Sequence, residues 1–121
     1  MAVEDLAAPG LRRFRRIAGC WRLTQEEASV LPGRPDAAAL QRWQEGQPAD
    51  VPAEVLLRIS HVLGIHRALH VKLPYAQQAD SWPRRPNQAP LFGGRLSLAI
   101  MLEGGIDALA RVRGYLDATL V

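Results

Sequence analysis

Apolar residues recur at steps of three and four along most of the chain, and this spacing is the feature that most limits its fold. The first clear example comprises Leu11, Phe14, Ile17, Ala18 and Trp21. Such spacing places apolar side chains on one face of an α-helix, whereas a half-buried strand alternates apolar and polar residues. Because no segment shows a convincing strand pattern, the sequence predicts an all-α protein with two lobes that divide within residues 74–90.

Residues typical of helix ends mark where the helices of the first lobe begin and stop. Thr24 is followed three residues later by Glu27, the arrangement of a capping box, in which each side chain accepts a hydrogen bond from the other residue's backbone amide. Pro32-Gly33 predicts the end of this helix after barely two turns. Asp36 then predicts the N-cap of a second short helix.

The second half of the chain also predicts short helices. A helical stripe is expected to break or end at Gly64, with a further short helix continuing to Leu73. Residues 74–90 contain four prolines and few apolar side chains, so they predict an extended connector. A short helix capped by Ser97 and ended by Gly104-Gly105 is then expected to precede the last helix.

Length and composition favour a cytoplasmic protein. The chain has 121 residues, enough for one compact domain or two small subdomains that share a core. Cys20 is the only cysteine, so no intrachain disulfide can form; we expect a small buried thiol in a reducing compartment. No run approaches the ~20 apolar residues of a membrane span, and Glu4 and Asp5 make the N-terminus unlike a secretory signal.

The net charge of +3 is unevenly placed, with five arginines inside one segment of eleven residues. These are Arg12, Arg13, Arg15, Arg16 and Arg22. A concentrated basic segment attracts phosphates without reading sequence. A solvated helix face explains the same pattern equally well. Both interpretations stay open at this point.

No motif predicts catalysis or a bound cofactor. His66 and His70 are four residues apart, so a helix places them on one face, as in metal-binding helices. However, Arg67 stands where H-E-x-x-H has glutamate, and no neighbouring residue in the sequence supplies the third ligand that catalytic zinc normally uses. The histidines are therefore expected to be surface or partly packed residues. Cys20 carries no signature of a nucleophile, and we expect a protein that is not an enzyme.

Residues 23–46, LTQEEASVLPGRPDAAALQRWQEG, resemble the Xre-like helix-turn-helix proteins. The resemblance rests on the Thr-Gln-Glu-Glu start, the glycine turn and the Arg-Trp ending before glycine. It implies a second helix that enters the major groove of DNA. Ala37, Ala38 and Ala39 occupy positions that would face bases but offer no hydrogen-bonding groups. The candidate DNA-binding residues are Arg34, Asp36, Gln41 and Arg42.

Two glycine pairs bracket the segment PLFGGRLSLAIMLEGG, residues 90–105, but they do not form a phosphate-binding loop. Such loops place glycines between a strand and a helix in G-x-G-x-x-G or G-x-x-x-x-G-K-[ST] spacing. Instead, residues 81–118 resemble the C-terminal toxin-binding domain of Xre/MbcA/ParS-type antitoxins. The shared elements, in order, are Trp82, Arg85-Pro86-Asn87, Phe92-Gly93-Gly94-Arg95, Met101-Leu102, Gly104 and the run from Arg113 to Ala118.

This resemblance implies a specific partner and a specific division of the chain. Such antitoxins pair with a RES-domain toxin, which depletes NAD or uses it to modify proteins. Residues 1–73 would form the helix-turn-helix domain, which dimerises and often represses the operon, and residues 74–121 would obstruct the toxin's active site. The residues expected to bind toxin are Trp82, Arg85, Asn87, Leu91, Phe92, Gly93, Gly94, Arg95, Leu98, Met101, Leu102, Tyr115, Leu120 and Val121.

Two alternatives remain open from the sequence. Arg95 could brace its own loop, and Phe92, Leu102 and Tyr115 could be core residues, where aromatic and aliphatic side chains usually lie. The whole chain could instead be a helix-turn-helix transcriptional regulator whose C-terminal lobe mainly mediates dimerisation. No cofactor and no membrane partner are expected under either interpretation.

Overall fold

The computed structural model of the protein describes residues 3–45 and 51–119, and within these ranges the chain is helical, without a strand. The predicted all-α class is therefore confirmed. The α-helices are α1 (Val3–Cys20), α2 (Gln25–Val30), α3 (Ala37–Gln44), α4 (Ala53–Lys72), α5 (Ala76–Ser81) and α6 (Ser97–Thr119), with a 3-10 turn at Trp82–Arg84. No helix in the described ranges has the length and apolar character needed to cross a membrane.

The chain forms two compact units, Met1–Leu63 and Gly64–Val121. The core of the first unit contains the helical stripe expected from the sequence, with Leu11, Phe14, Ile17 and Trp21 all buried. Leu31, Trp43, Val55, Ile59 and Val62 are also buried in this unit. The assignment of residues 1–73 and 74–121 to separate functional domains stays a prediction.

Both predicted helix caps in the first unit are present. The Thr24 side chain accepts a hydrogen bond from the Glu27 amide at 3.1 Å, and the Glu27 carboxylate accepts one from the Thr24 amide at 2.9 Å. The Asp36 carboxylate accepts a hydrogen bond from the Ala39 amide at 3.2 Å. One expectation is wrong: Cys20, at the C-terminal end of α1, is exposed and not buried.

The turn between α2 and α3 needs a glycine at its first positive-φ position. Gly33 has a φ of 100°, and Arg34 follows with a φ of 57°. The amide of Gly33 donates to Val30 O at 2.9 Å and that of Arg34 to Ser29 O at 2.8 Å, which closes the C-terminus of α2. A Cβ at Gly33 would also lie only 3.0 Å from Arg58 Nε.

The predicted break at Gly64 is wrong, because α4 continues through it from Ala53 to Lys72. A glycine inside a helix costs only about 1 kcal/mol relative to alanine. Buried residues on both sides of it, Val62 and Ile65, outweigh that cost by packing. Glycine also leaves room for the Arg113 side chain, which occupies the space that a Cβ at this position would need.

Residues 74–90 are not the extended connector that their prolines predict. They contain α5, followed by the 3-10 turn that begins at Trp82 with Pro83 inside it. Proline is compatible with the first turn of a helix because that position needs no amide donor. Ala79 and Pro83 are buried, so packing in the second unit stabilises this short helical segment.

The last two predicted helices are both present, and they join at a kink within the range of α6. Ser97 does not cap a helix that begins at Leu98: α6 starts at Ser97 itself, whose buried Oγ has no hydrogen-bond partner among the described residues. Gly105 has φ 63° and ψ −150°, which are not helical values, so the first of the two helices ends there, as Gly104-Gly105 predicted. The buried face of α6 contains Leu98, Met101, Ala108, Leu109, Val112 and Leu116.

Candidate functional site

The segment that resembles the toxin-binding element forms a closed loop, residues 86–96, which we name the Gly-Gly-Arg loop. Its two ends pair through an isolated antiparallel bridge between Pro86 and Leu96. Next to the bridge, the Asn87 amide donates to Arg95 O at 3.1 Å, and the Gly94 amide donates to Asn87 O at 2.8 Å. These bonds give the loop a defined conformation without a strand or a long helix.

The turn inside the loop explains its glycine pair. The amides of Phe92 and Gly93 both donate to Ala89 O, at 2.9 and 3.0 Å, and the Asn87 carboxamide oxygen accepts from the Ala89 amide at 2.9 Å. The chain then passes through φ values of 57° at Gly93 and 85° at Gly94. Residues with a Cβ rarely adopt two successive positive φ values, so glycine is the residue that this corner requires.

Phe92 fixes the loop to the second unit. Its side chain is 1% exposed and makes edge contacts with Trp82, at 5.7 Å between ring centroids, and with Tyr115, at 5.2 Å. Perpendicular aromatic pairs of this kind are favourable beyond the area that they bury. Trp82 and Tyr115 are half-buried. Phe92 therefore acts as a core residue that holds the corner in place.

The predicted toxin-binding residues differ in exposure. Leu98 and Met101 are buried with Phe92, so their present surroundings are core packing. Side chains that are partly or fully accessible belong to Trp82, Arg85, Asn87, Leu91, Arg95, Leu102 and Tyr115, with Gly93 exposed at the corner and Gly94 half-buried beside it. Leu120 and Val121 lie outside the described residues. Toxin contact stays a prediction for the whole set.

Two exposed arginines border the loop, and each has a partner in the second unit. Arg95 donates to the Glu103 carboxylate of α6 at 2.6 Å. The hydrogen bond and the charge of Arg95 lower the pKa of Glu103, and those of Glu103 raise the pKa of Arg95. Arg85 donates to Ser81 Oγ at 2.6 Å. The loop thus presents an oriented guanidinium group to solvent.

The candidate DNA-binding residues lie in the first unit and are exposed, but most of them bond within the chain. Arg34 pairs with Glu26 at 3.3 Å, Gln41 donates to Glu45 at 3.0 Å, and Asp36 caps α3. Arg42 is exposed on α3. The α1 arginines 12, 13, 15 and 16 are all exposed as well, which agrees with either a phosphate-binding or a solvated face.

The structure brings a carboxylate to the two histidines that lacked a third partner in the sequence. Asp80 of α5 lies with its Oδ1 2.8 Å from His70 Nε2 and 3.7 Å from His66 Nε2. Burial, and secondly the nearby His70, lower the pKa of His66, whereas Asp80 opposes this effect. Sequence reasoning missed Asp80 because it is ten residues from His70 on a helix that the prolines concealed. It missed Glu103 because this residue lies eight positions beyond Arg95, a spacing that no local pairing rule covers.

Comparison with known proteins gives one clear relationship. The protein y4oB of Sinorhizobium fredii (strain NBRC 101917 / NGR234), whose name describes it as uncharacterized, is 38% identical to this chain over 108 residues. The matched region covers 89% of this chain and 81% of y4oB. No family model matches the chain, and no solved structure matches it.

Proposed function

This chain belongs to the same family as y4oB, and we propose that it is a type II antitoxin that binds and neutralises a RES-domain toxin. It acts by occluding the toxin's active site, which needs no catalysis and no cofactor of its own. The proposal places it in the cytoplasm, as a homodimer within a larger toxin–antitoxin complex. Its basis is the resemblance of residues 81–118 to the toxin-binding domain of Xre/MbcA/ParS-type antitoxins.

The observation that carries the proposal is the closed Gly-Gly-Arg loop with Arg95 exposed on it. A RES-domain toxin acts on NAD, so its pocket accepts an anionic dinucleotide. A guanidinium group matches carboxylate or phosphate partners through paired hydrogen bonds. Because the loop is already closed by backbone bonds and fixed by Phe92, little conformational entropy is lost when it enters such a pocket.

The Glu103 partner provides a way to separate a brace from a contact residue. We would compare the unchanged chain with Arg95→Glu, Glu103→Arg and the double exchange Arg95→Glu/Glu103→Arg. An exposed ion pair contributes little to stability, so all four proteins should fold. The double exchange restores an ion pair between these positions but places a carboxylate where a partner would meet the guanidinium.

The assay is growth rescue when each variant is co-expressed with the protein that the neighbouring gene encodes, with copurification as the second readout. We expect the unchanged chain to rescue growth, and Arg95→Glu and the double exchange to bind about 30-fold more weakly or worse. Glu103→Gln, which leaves Arg95 in place, is the matched control and should rescue growth. Rescue by the double exchange would show that Arg95 is only a brace. A neighbour that is harmless, or toxic regardless of this chain, would refute the antitoxin function itself.

A second function, regulation of transcription through the first unit, has two observations in its favour. The α2–turn–α3 segment has a closed glycine turn, and Arg42 together with the α1 arginines is exposed. In the proposed antitoxin this activity would repress its own operon. If it is instead the main function, the second unit mainly supports dimerisation.

Gel shifts on DNA upstream of the operon test this second function. Loss of a phosphate contact, as in Arg16→Ala, should weaken binding to all sequences and reduce the salt slope by about one. Loss of a base contact, as in Arg42→Ala, should weaken binding to the operator more than binding to other DNA. If the unchanged chain binds all DNA sequences equally, α3 has a structural role and does not read bases.

A further inference from the structure

Two histidines and one carboxylate of the second unit converge on a small region between α4 and α5. His66 and His70 are one helical turn apart on α4, with ring centroids 4.3 Å from each other. Both rings direct Nε2 toward the same oxygen, Oδ1 of Asp80 on α5, at 3.7 and 2.8 Å. This cluster is separate from the Gly-Gly-Arg loop in sequence and has no role in the proposed toxin contact.

We propose that His66, His70 and Asp80 bind a divalent transition-metal ion of the zinc class. Two imidazoles and a carboxylate are a ligand set that suits zinc, cobalt and nickel, and a tetrahedral ion with three protein ligands retains one open position for water. The earlier objection, the missing third ligand, is removed because folding of α5 supplies it. The inference does not depend on whether the chain binds a toxin.

The distance of Asp80 from each histidine is close to what a tetrahedral ion needs. Ligand atoms about 2.0–2.1 Å from a tetrahedral zinc ion lie about 3.3 Å from each other. The distances from Asp80 Oδ1, 2.8 Å to His70 and 3.7 Å to His66, lie on either side of this value. Side-chain rotations that change each of these two distances by roughly half an ångström would bring both to the value for a tetrahedral ion.

The protonation of the cluster is compatible with metal binding. A carboxylate only accepts hydrogen bonds, so the 2.8 Å contact requires a hydrogen on His70 Nε2. An ion bound at Nε2 takes the place of this hydrogen, and the ring then carries its hydrogen on Nδ1.

The accessibility of the cluster also suits an ion that enters from solvent. The exposed fractions of the side chains are 27% for His66, 33% for His70 and 25% for Asp80. A site with these exposures excludes part of the surrounding water and still leaves a path for the ion and for a water ligand. The competing explanation is a simple hydrogen bond between His70 and Asp80, with no affinity for metal.

Metal titration of the full chain distinguishes these explanations. The protein is stripped with a chelator and titrated with cobalt chloride, whose visible absorption reports tetrahedral coordination, and separately with zinc chloride by calorimetry. The variants are His66→Ala, His70→Ala and Asp80→Ala. The matched control is His61→Ala, which removes the third histidine of the chain from the same helix.

We expect one ion per chain in the unchanged protein and in His61→Ala. Each of the three ligand variants should bind at least about 100-fold more weakly, and zinc should raise the melting temperature only where the site is intact. Circular dichroism checks that each variant is folded, and Asp80→Asn provides a closer replacement if Asp80→Ala unfolds. The proposal is overturned if the unchanged protein binds neither ion, or if binding survives in His70→Ala or is lost in His61→Ala.

Discussion

The kink in α6 makes a strong prediction about one glycine. Gly105 has φ 63° and ψ −150°, a region of backbone space that is essentially restricted to glycine. Placing a Cβ there costs of the order of 1–3 kcal/mol of folding free energy. Gly105→Ala should therefore destabilise the protein by about 1–3 kcal/mol, because the chain must either keep the strained backbone geometry or lose the kink in α6.

Gly114 of the same helix is the matched control. It is exposed, and an added Cβ meets no atom within 4 Å. Alanine is about 0.8–1 kcal/mol more favourable than glycine in a helix interior, so Gly114→Ala should stabilise the protein by roughly that amount. The two substitutions are chemically identical, yet they should differ by about 2–4 kcal/mol in opposite directions.

Urea denaturation followed by circular dichroism measures both variants against the unchanged chain. We expect a lower transition midpoint for Gly105→Ala and a higher one for Gly114→Ala, with similar slopes. If both variants were stabilised alike, α6 would be a straight helix through Gly105. The orientation of its N-terminal part, which bears Glu103 and the buried Leu98, would then need another explanation.

Three further predictions follow from individual contacts. Gly64→Ala should stabilise the protein by about 1 kcal/mol in an Arg113→Ala background. In the otherwise unchanged chain it should stabilise the protein by less, because the new Cβ competes with the Arg113 side chain for space. Equal effects of Gly64→Ala in the two backgrounds of this double-mutant cycle would contradict the contact. Phe92→Ala should cost about 3–5 kcal/mol in denaturation experiments and alter Trp82 fluorescence, and a loss below about 1 kcal/mol would contradict its buried position. The pKa of His66 is lowered below 6.5 in the folded state, so the unfolded chain binds more protons at this group. In the presence of a chelator, the free energy of unfolding should therefore fall as the pH drops through 6.5 and should not depend on this group above it. In His66→Asn the dependence of this free energy on pH should be shallower, and an unchanged dependence would refute the assignment.

Local signals in the sequence correctly predicted structural features that depend on local interactions. The Thr24–Glu27 capping box and the Asp36 cap connect residues three apart, and both are present as expected. The helical stripe from Leu11 to Trp21 is likewise buried. These features need no knowledge of the rest of the fold.

Sequence signals failed where packing outweighs local preference. Gly64 predicts a break, but buried neighbours on both sides keep α4 continuous. The prolines near Trp82 conceal α5, because one of them lies in a 3-10 turn where it is tolerated. The partners Glu103 and Asp80 follow from that tertiary arrangement, so no spacing rule could identify them.

The measurement that tests the central claim most directly is the activity of the proposed partner, a purified RES-domain toxin, as this chain is added. NAD consumption or transfer of its ADP-ribose group provides the readout. The account predicts stoichiometric loss of activity with the unchanged chain, retained inhibition with Glu103→Gln, and weakened inhibition with the Arg95→Glu/Glu103→Arg double exchange. Full toxin activity in the presence of excess unchanged chain would contradict it.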